Sequence, residues 1–225
     1  MLARGVVQAK SAALIAAVLI AAIAGVAFFN ALHLTRDLAQ TSDSAQGFVV
    51  GHAIANGNAL LSDWHFPIDN FYLTDSLMYA AGELIAGSQP HLLASIPALV
   101  YALFVLLTLV VCVRRSHSLS DNLDPLAAAT LLLAAPAWIG AWDPMLMSDM
   151  HTATALAALV ALVLYARVAT AGFRDNVGRF AAVIAVLLVA VTVASDPFSL
   201  VFALGPAAVV FAIESARDRD VRNQG

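Results

Sequence analysis

The chain has 225 residues, of which 61% are hydrophobic and 12% charged, with a formal net charge of -4. Soluble domains carry roughly 25% charged residues, so this composition excludes one and points to an all-α integral membrane protein. The lone cysteine, Cys112, excludes an intramolecular disulfide; no zinc-site spacing and no glycine-rich phosphate loop occurs, and nothing points to a nucleic-acid partner.

The first apolar run, Ser11 to Leu32, follows Arg4 and Lys10. It is longer than the apolar core of about 7–15 residues of a cleaved signal peptide, so it is expected to be an uncleaved first span. Residues 41–90 then form a long polar connection that gathers Asp43, Asp63, Asp69, Asp75, Glu83, His52 and His65 with six aromatic residues, Phe48, Trp64, Phe66, Phe71, Tyr72 and Tyr79. A connection of this length is either functional or disordered, and its apolar spacing argues for order. Ser42 or Asp43 caps a first short helix that stops at Asn56-Gly57. From Leu73 a second helix places Leu73, Leu77, Ala81, Leu84 and Ile85 on one side and Tyr72, Asp75, Tyr79 and Glu83 on another. Both helices are expected to lie along a membrane surface, the apolar side of the second against the spans or lipid.

Residues 91–213 hold five further apolar segments, giving about six spans in a single polytopic domain over 1–225. They are His91 to Val113, stopped by Arg114-Arg115; Pro125 to Trp142; Thr152 to Arg167; a run from near Phe180 to Ser195; and Phe198 to Ile213. Full spans need about 17–25 residues, and the last three fall short. These three therefore extend into flanking polar residues, or the fifth and sixth form a re-entrant hairpin about Asp196-Pro197. Residues 214–225 form a tail.

Placing the N-terminus in the cytoplasm puts ten of the eleven Lys and Arg residues on the cytoplasmic side, with Arg36 alone outside. Both termini are then cytoplasmic, as in a bacterial plasma-membrane protein, and the 41–90 connection is extracytoplasmic. Nine of the fifteen acidic residues and five of the six histidines share that outer face. Trp64, Trp138 and Trp142 fall at its interface, where indole rings favour the headgroup layer.

Carboxylates at such a face act as general bases, hold divalent cations or cap helices. Asp124-Pro125, Asp143-Pro144 and Asp196-Pro197 each read as a cap followed by a first-turn proline. The scattered outer histidines read as interfacial polar residues, and Asp149, in Ser148-Asp149-Met150-His151, as an N-cap before the fourth span.

The order of parts resembles a family. An acid precedes a helix that ends in A-x-x-x-G (Ala53 to Gly57); a second helix ends at Gly87, shortly before Pro90. The next span carries Ser95-Ile96-Pro97-Ala98-Leu99, and a later outer Asp precedes an Ala/Leu-rich span closing on Tyr165-Ala166-Arg167. This is similar to the amino-terminal part of GT-C type membrane glycosyltransferases of the protein-mannosyltransferase-like family 39, over roughly Thr41 to Arg167. The resemblance implies sugar transfer from a polyprenyl-phosphate donor on the extracytoplasmic face, with membrane lipid as surroundings. It also implies catalytic roles for Asp43, matching the first-loop acid and candidate base, and Asp149, matching the second-loop acid. Asp43 either activates an acceptor hydroxyl or binds a divalent cation that neutralises the lipid phosphate. Asp69, Asp75, Trp64, Tyr72 and Arg36 are the groups expected to bind the substrate.

The chain departs from the family pattern in places. Ser44 stands where a second acid often follows the first, Leu73-Thr74-Asp75 replaces a Lys-Pro-Pro-like element, and His91 stands where an arginine often opens the second span. These departures imply a fragment, a truncated paralogue or a protein whose partner subunit supplies missing spans. The spans hold almost no ionisable residues away from their ends, which counts against a transporter. The alternative is a non-catalytic membrane module binding a lipid or partner through its aromatic-rich outer loop.

Overall fold

The structure is a computed structural model, and it describes residues 2–37, 42–65, 70–113, 123–131, 146, 151–171, 176–201, 205 and 208–209. Every regular element among them is helical. In chain order these are α1 (Leu2–Asp37), α2 (Ser42–Ala55), α3 (Leu77–Ala86), α4 (Leu92–Cys112), α5 (Thr152–Ala171) and α6 (Asn176–Ser195). A π-helical turn, Tyr72–Ser76, leads into α3, and residues 123–131 are also helical.

Three of these elements are long and apolar enough to cross a membrane: Ser11–Arg36 within α1, Leu92–Cys112 and Asn176–Ser195. The third reaches into flanking polar residues, one of the two expectations for it. Its apolar run begins near Phe180 and is short, whereas the helix starts at Asn176 and carries Arg179 within its first turn, reaching 20 residues. An arginine near a helix end keeps its charge at the interface while its stem lies along the helix. In α5 the apolar described stretch is Thr152–Val168, at the short limit for a span. Most of the expected third and sixth spans, with Trp138 and Trp142, lies outside the described residues.

The chain divides into two compact units, Met1–Trp64 with Asp75–Ala153, and His65–Thr74 with Thr154–Gly225. In the first, α1 packs along α4. Ala12, Ala16, Ile20 and Ala24 repeat every four residues on the buried side of α1, and Ala31 and Thr35 continue it. Small residues at that spacing let two backbones approach, the usual way apolar helices associate in lipid. Ala98, Tyr101, Val105 and Leu109 of α4 meet this side, joined by Leu126, Ala129 and Leu146. Near the end of α1, Thr35 Oγ1 donates to the Ala94 carbonyl at 3.1 Å, one turn before Pro97 of α4. The opposite side of α1 exposes Leu14, Val18, Val26 and Phe29, a surface suited to lipid rather than water.

In the second unit the C-terminal end of α6 holds the segment before α3. The Ser195 carbonyl accepts from the N–H groups of Asn70 and Phe71 at 3.0 and 3.1 Å, and Ser195 Oγ accepts from the Leu73 N–H. The backbone of the connection is thus paired although the segment is irregular.

Candidate functional site

The helices α2 and α3 lie side by side, and a glycine decides how closely. A Cβ built on Gly51 would stand 2.5 Å from Tyr79 Cβ and 2.9 Å from both the Ser76 carbonyl oxygen and the Ala80 nitrogen. Two of those atoms are backbone, so only glycine fits. With Gly47 one turn earlier, the motif Gly47-x-x-x-Gly51 marks the seam, a signal passed over when the chain is read for acids. Beside it, the rings of Phe48 and Tyr79 meet edge to face at 5.9 Å. On another side of α3, a Cβ at Gly82 would meet Ile96 of α4 at 3.0 Å.

Both helices stop where their glycines allow. Gly57 has φ 95°, the Asn58 N–H reaches back to the Ala53 carbonyl and the Gly57 N–H to Ile54, the Schellman arrangement. Gly87 has φ 75° and its N–H donates to the Glu83 carbonyl at 2.8 Å. The two glycine stops expected from the sequence are therefore present.

Of the two surroundings expected for the apolar side of α3, the spans or lipid, the spans do not cover it. Leu84 and Ile85 are 74% and 88% exposed, and Leu77 is exposed too, whereas Asp75, Tyr79 and Glu83 are buried. The reason is the seam: Tyr79 and Glu83 lie on the side that Gly51 lets α2 approach. Lipid is the remaining apolar environment for Leu77, Leu84 and Ile85.

One turn beyond Tyr79, the buried side of α3 brings Glu83 to the end of α2. His52 Nδ1 lies 2.7 Å from Glu83 Oε1, and Asn56 Nδ2 donates to the same oxygen at 3.2 Å and to the His52 carbonyl at 2.8 Å. The Glu83 side chain is only 9% exposed while that of His52 is 50% exposed. The carboxylate is therefore inside and the imidazole at the rim. Glu83 Oε2 is buried without a hydrogen-bond partner among the described residues.

The sequence-derived candidates fall as follows. Asp43 is the second residue of α2, described by its backbone alone. Asp69 and Asp149 lie outside the described residues. Asp75 is buried in the π-helical turn, Tyr72 is half-buried at its start, Trp64 is partly exposed, and Arg36 is exposed in the last turn of α1. The polar contact that joins α2 to α3 is instead His52, Asn56 and Glu83. The spacing of His52 and Asn56, one turn apart on α2 beside the glycine seam, is the signal that could have found it. Among the described residues no group of three or more His, Cys, Asp or Glu side chains is arranged to hold a metal ion.

Asp196 is a helix cap, as its Asp-Pro signature predicts. Oδ1 accepts from the Phe198 N–H at 2.9 Å, and Oδ2 accepts from Thr154 Oγ1 at 2.5 Å. Comparison of the chain with protein-family models, curated proteins and solved structures finds no match in any of the three.

Proposed function

We propose that this chain is a GT-C-like membrane glycosyltransferase, or a part of one, transferring a sugar from a polyprenyl-phosphate donor on the extracytoplasmic face. The observation that carries the reading is the placement of Asp43. It stands at the start of α2, the first helix after the apolar stretch Ser11–Arg36, and α3 then runs through Gly87 into α4. That order is the one the family resemblance uses for its first-loop acid. Six spans, cytoplasmic termini and a bacterial plasma-membrane location complete the proposal and rest on the one-sided distribution of Arg and Lys. A divalent cation and a partner subunit supplying further spans are compatible additions, with Asp149, Asp69, Asp75, Tyr72, Trp64 and Arg36 as the remaining site residues.

The test compares wild type with Asp43→Asn in isolated membranes given a polyprenyl-phosphate sugar donor. Asparagine keeps most of the preference for a helix N-terminus, so folding survives the change. A group assisting chemistry directly is worth about 10²–10⁴-fold in rate, so transfer is expected to fall by that much. Equal transfer by the two proteins would make Asp43 a capping residue only.

The second reading is a non-catalytic membrane module that holds a lipid or partner. Its specific support is the exposed apolar side of α3, Leu77, Leu84 and Ile85, together with partly exposed Trp64. Under it, Trp64→Ala weakens association with membranes or partner while Asp43→Asn leaves it unchanged.

A further inference from the structure

The geometry points to a proton acceptor other than Asp43, the candidate base that the family resemblance implies: we propose that His52, held by Glu83, takes the proton from the acceptor hydroxyl as it attacks the donor sugar. The inference rests on the glycosyltransferase reading and names the base for it.

An ionised carboxylate only accepts hydrogen bonds, so the ring nitrogen facing it at 2.7 Å carries the hydrogen. In neutral His52 that leaves the lone pair on Nε2, the nitrogen a base must present. Asn56 fixes the arrangement from a second direction. Its two amide hydrogens go to the His52 carbonyl at 2.8 Å and to Glu83 Oε1 at 3.2 Å. Its 3.5 Å approach to Nε2 is at the outer limit of a hydrogen bond, so the lone pair is not committed there.

Burial divides the pair in the way an oriented base requires. A substrate hydroxyl can reach the half-exposed imidazole but not the 9% exposed carboxylate behind it. Glu83 Oε2 is buried with no hydrogen-bond donor among the described residues, so the imidazole and the Asn56 amide, both at Oε1, are the described groups that meet this carboxylate. A carboxylate in such surroundings interacts strongly with the positive ring formed when the proton arrives. Gly51, the residue before His52, clamps this part of α2 to α3 and limits how far the pair can drift.

The step balances as follows. The hydroxyl proton passes to His52 Nε2 while the hydroxyl oxygen bonds to the anomeric carbon of the donor. The bond from that carbon to the phosphate oxygen breaks, and its electron pair leaves on polyprenyl phosphate. The imidazolium, paired with Glu83, then returns its proton to water. Asp43 lies nine residues earlier on the same helix, about 13.5 Å along its axis. Glu83 is a positioning residue: it acts through the ring.

The experiment uses the full chain in isolated membranes with radiolabelled polyprenyl-phosphate mannose as the donor probe. Wild type, His52→Gln, His52→Ala and Glu83→Gln are assayed with and without added imidazole. Monodisperse extraction in mild detergent is the folding control. His52→Gln keeps a side-chain N–H for Glu83, so it retains the helix pair while removing the base. Both His52 variants are expected to lose about 10²–10⁴-fold in transfer rate, with imidazole restoring part of the loss in His52→Ala alone. Glu83→Gln is expected to lower kcat by about tenfold with KM unchanged, without imidazole rescue, in keeping with one weakened charge interaction. Wild-type rates in folded His52→Gln, or a His52→Ala loss that imidazole does not relieve, would overturn the assignment while leaving the transferase reading intact. A wild type that transfers nothing would overturn both.

Discussion

Two buried carboxylates, one in each unit, are bonded in different ways. Asp196 is fully buried, and each of its oxygens has a hydrogen-bond donor, Thr154 Oγ1 for one and the Phe198 N–H for the other. Glu83 is buried as well, but its described donors, His52 and Asn56, both reach one oxygen, and the second oxygen has none. A completed set of hydrogen bonds at a helix start is what stability asks for. A carboxylate left half satisfied behind a half-exposed imidazole is stabilised less by its own bonds, and it is the arrangement that chemistry uses. On the proposed reading, burial does not distinguish these two acids, and the number of satisfied oxygens does.

Substitution can break this comparison. Asp196→Ala orphans the buried Thr154 hydroxyl, at about 1–3 kcal/mol, and removes the carboxylate that accepts from the Phe198 N–H, about 1 kcal/mol more, together the largest loss expected in either unit. Thermal unfolding in detergent measures it, and a drop no greater than that of a surface substitution would remove Asp196 from the structural class. Gly51→Ala comes next. Its new Cβ meets backbone atoms at 2.9 Å, so α2 and α3 must separate, at a cost of about 1–3 kcal/mol. The same change should disturb the His52–Glu83 contact, so stability and transfer fall together. Glu83→Gln is expected to cost least in stability, about 1 kcal/mol, because the amide oxygen still accepts from His52. Its effect belongs in rate. A Glu83→Gln protein destabilised as much as Asp196→Ala would place both carboxylates in one class.

Much of the helix content was legible in the sequence because it depends on local terms. The apolar runs of α1 and α4 set spans by length, and Gly57 and Gly87 end α2 and α3 because each needs positive φ. The Asp196-Pro197 signature gave the cap, but not Thr154, which stands 42 residues away. The apolar run of α6 begins near Phe180, and a polar first turn from Asn176 that includes Arg179 carries the helix to 20 residues. The facing of α3 was legible only in part. Apolar spacing shows that Leu77, Leu84 and Ile85 share a side, but not whether protein or lipid covers it.

The His52–Glu83 pair was the least legible feature. Its partners are 31 residues apart on different helices, and no one-dimensional spacing sets the register of one helix on another. Gly51 holds that information only as a missing Cβ. An approach centred on acids instead singled out Asp43 and Asp149, by analogy of position.

The account depends most on which side of the membrane the α2–α3 pair faces. Single cysteines at Asn58 and Asn223, placed in a Cys112→Ala background, can be exposed in intact cells to a membrane-impermeant thiol reagent. Asn58 follows α2 directly and lies close in sequence to the His52 site. The account predicts labelling at Asn58 and none at Asn223 until the membrane is permeabilised. Labelling at Asn223 with protection at Asn58 would contradict it, because the pair would then face the cytoplasm.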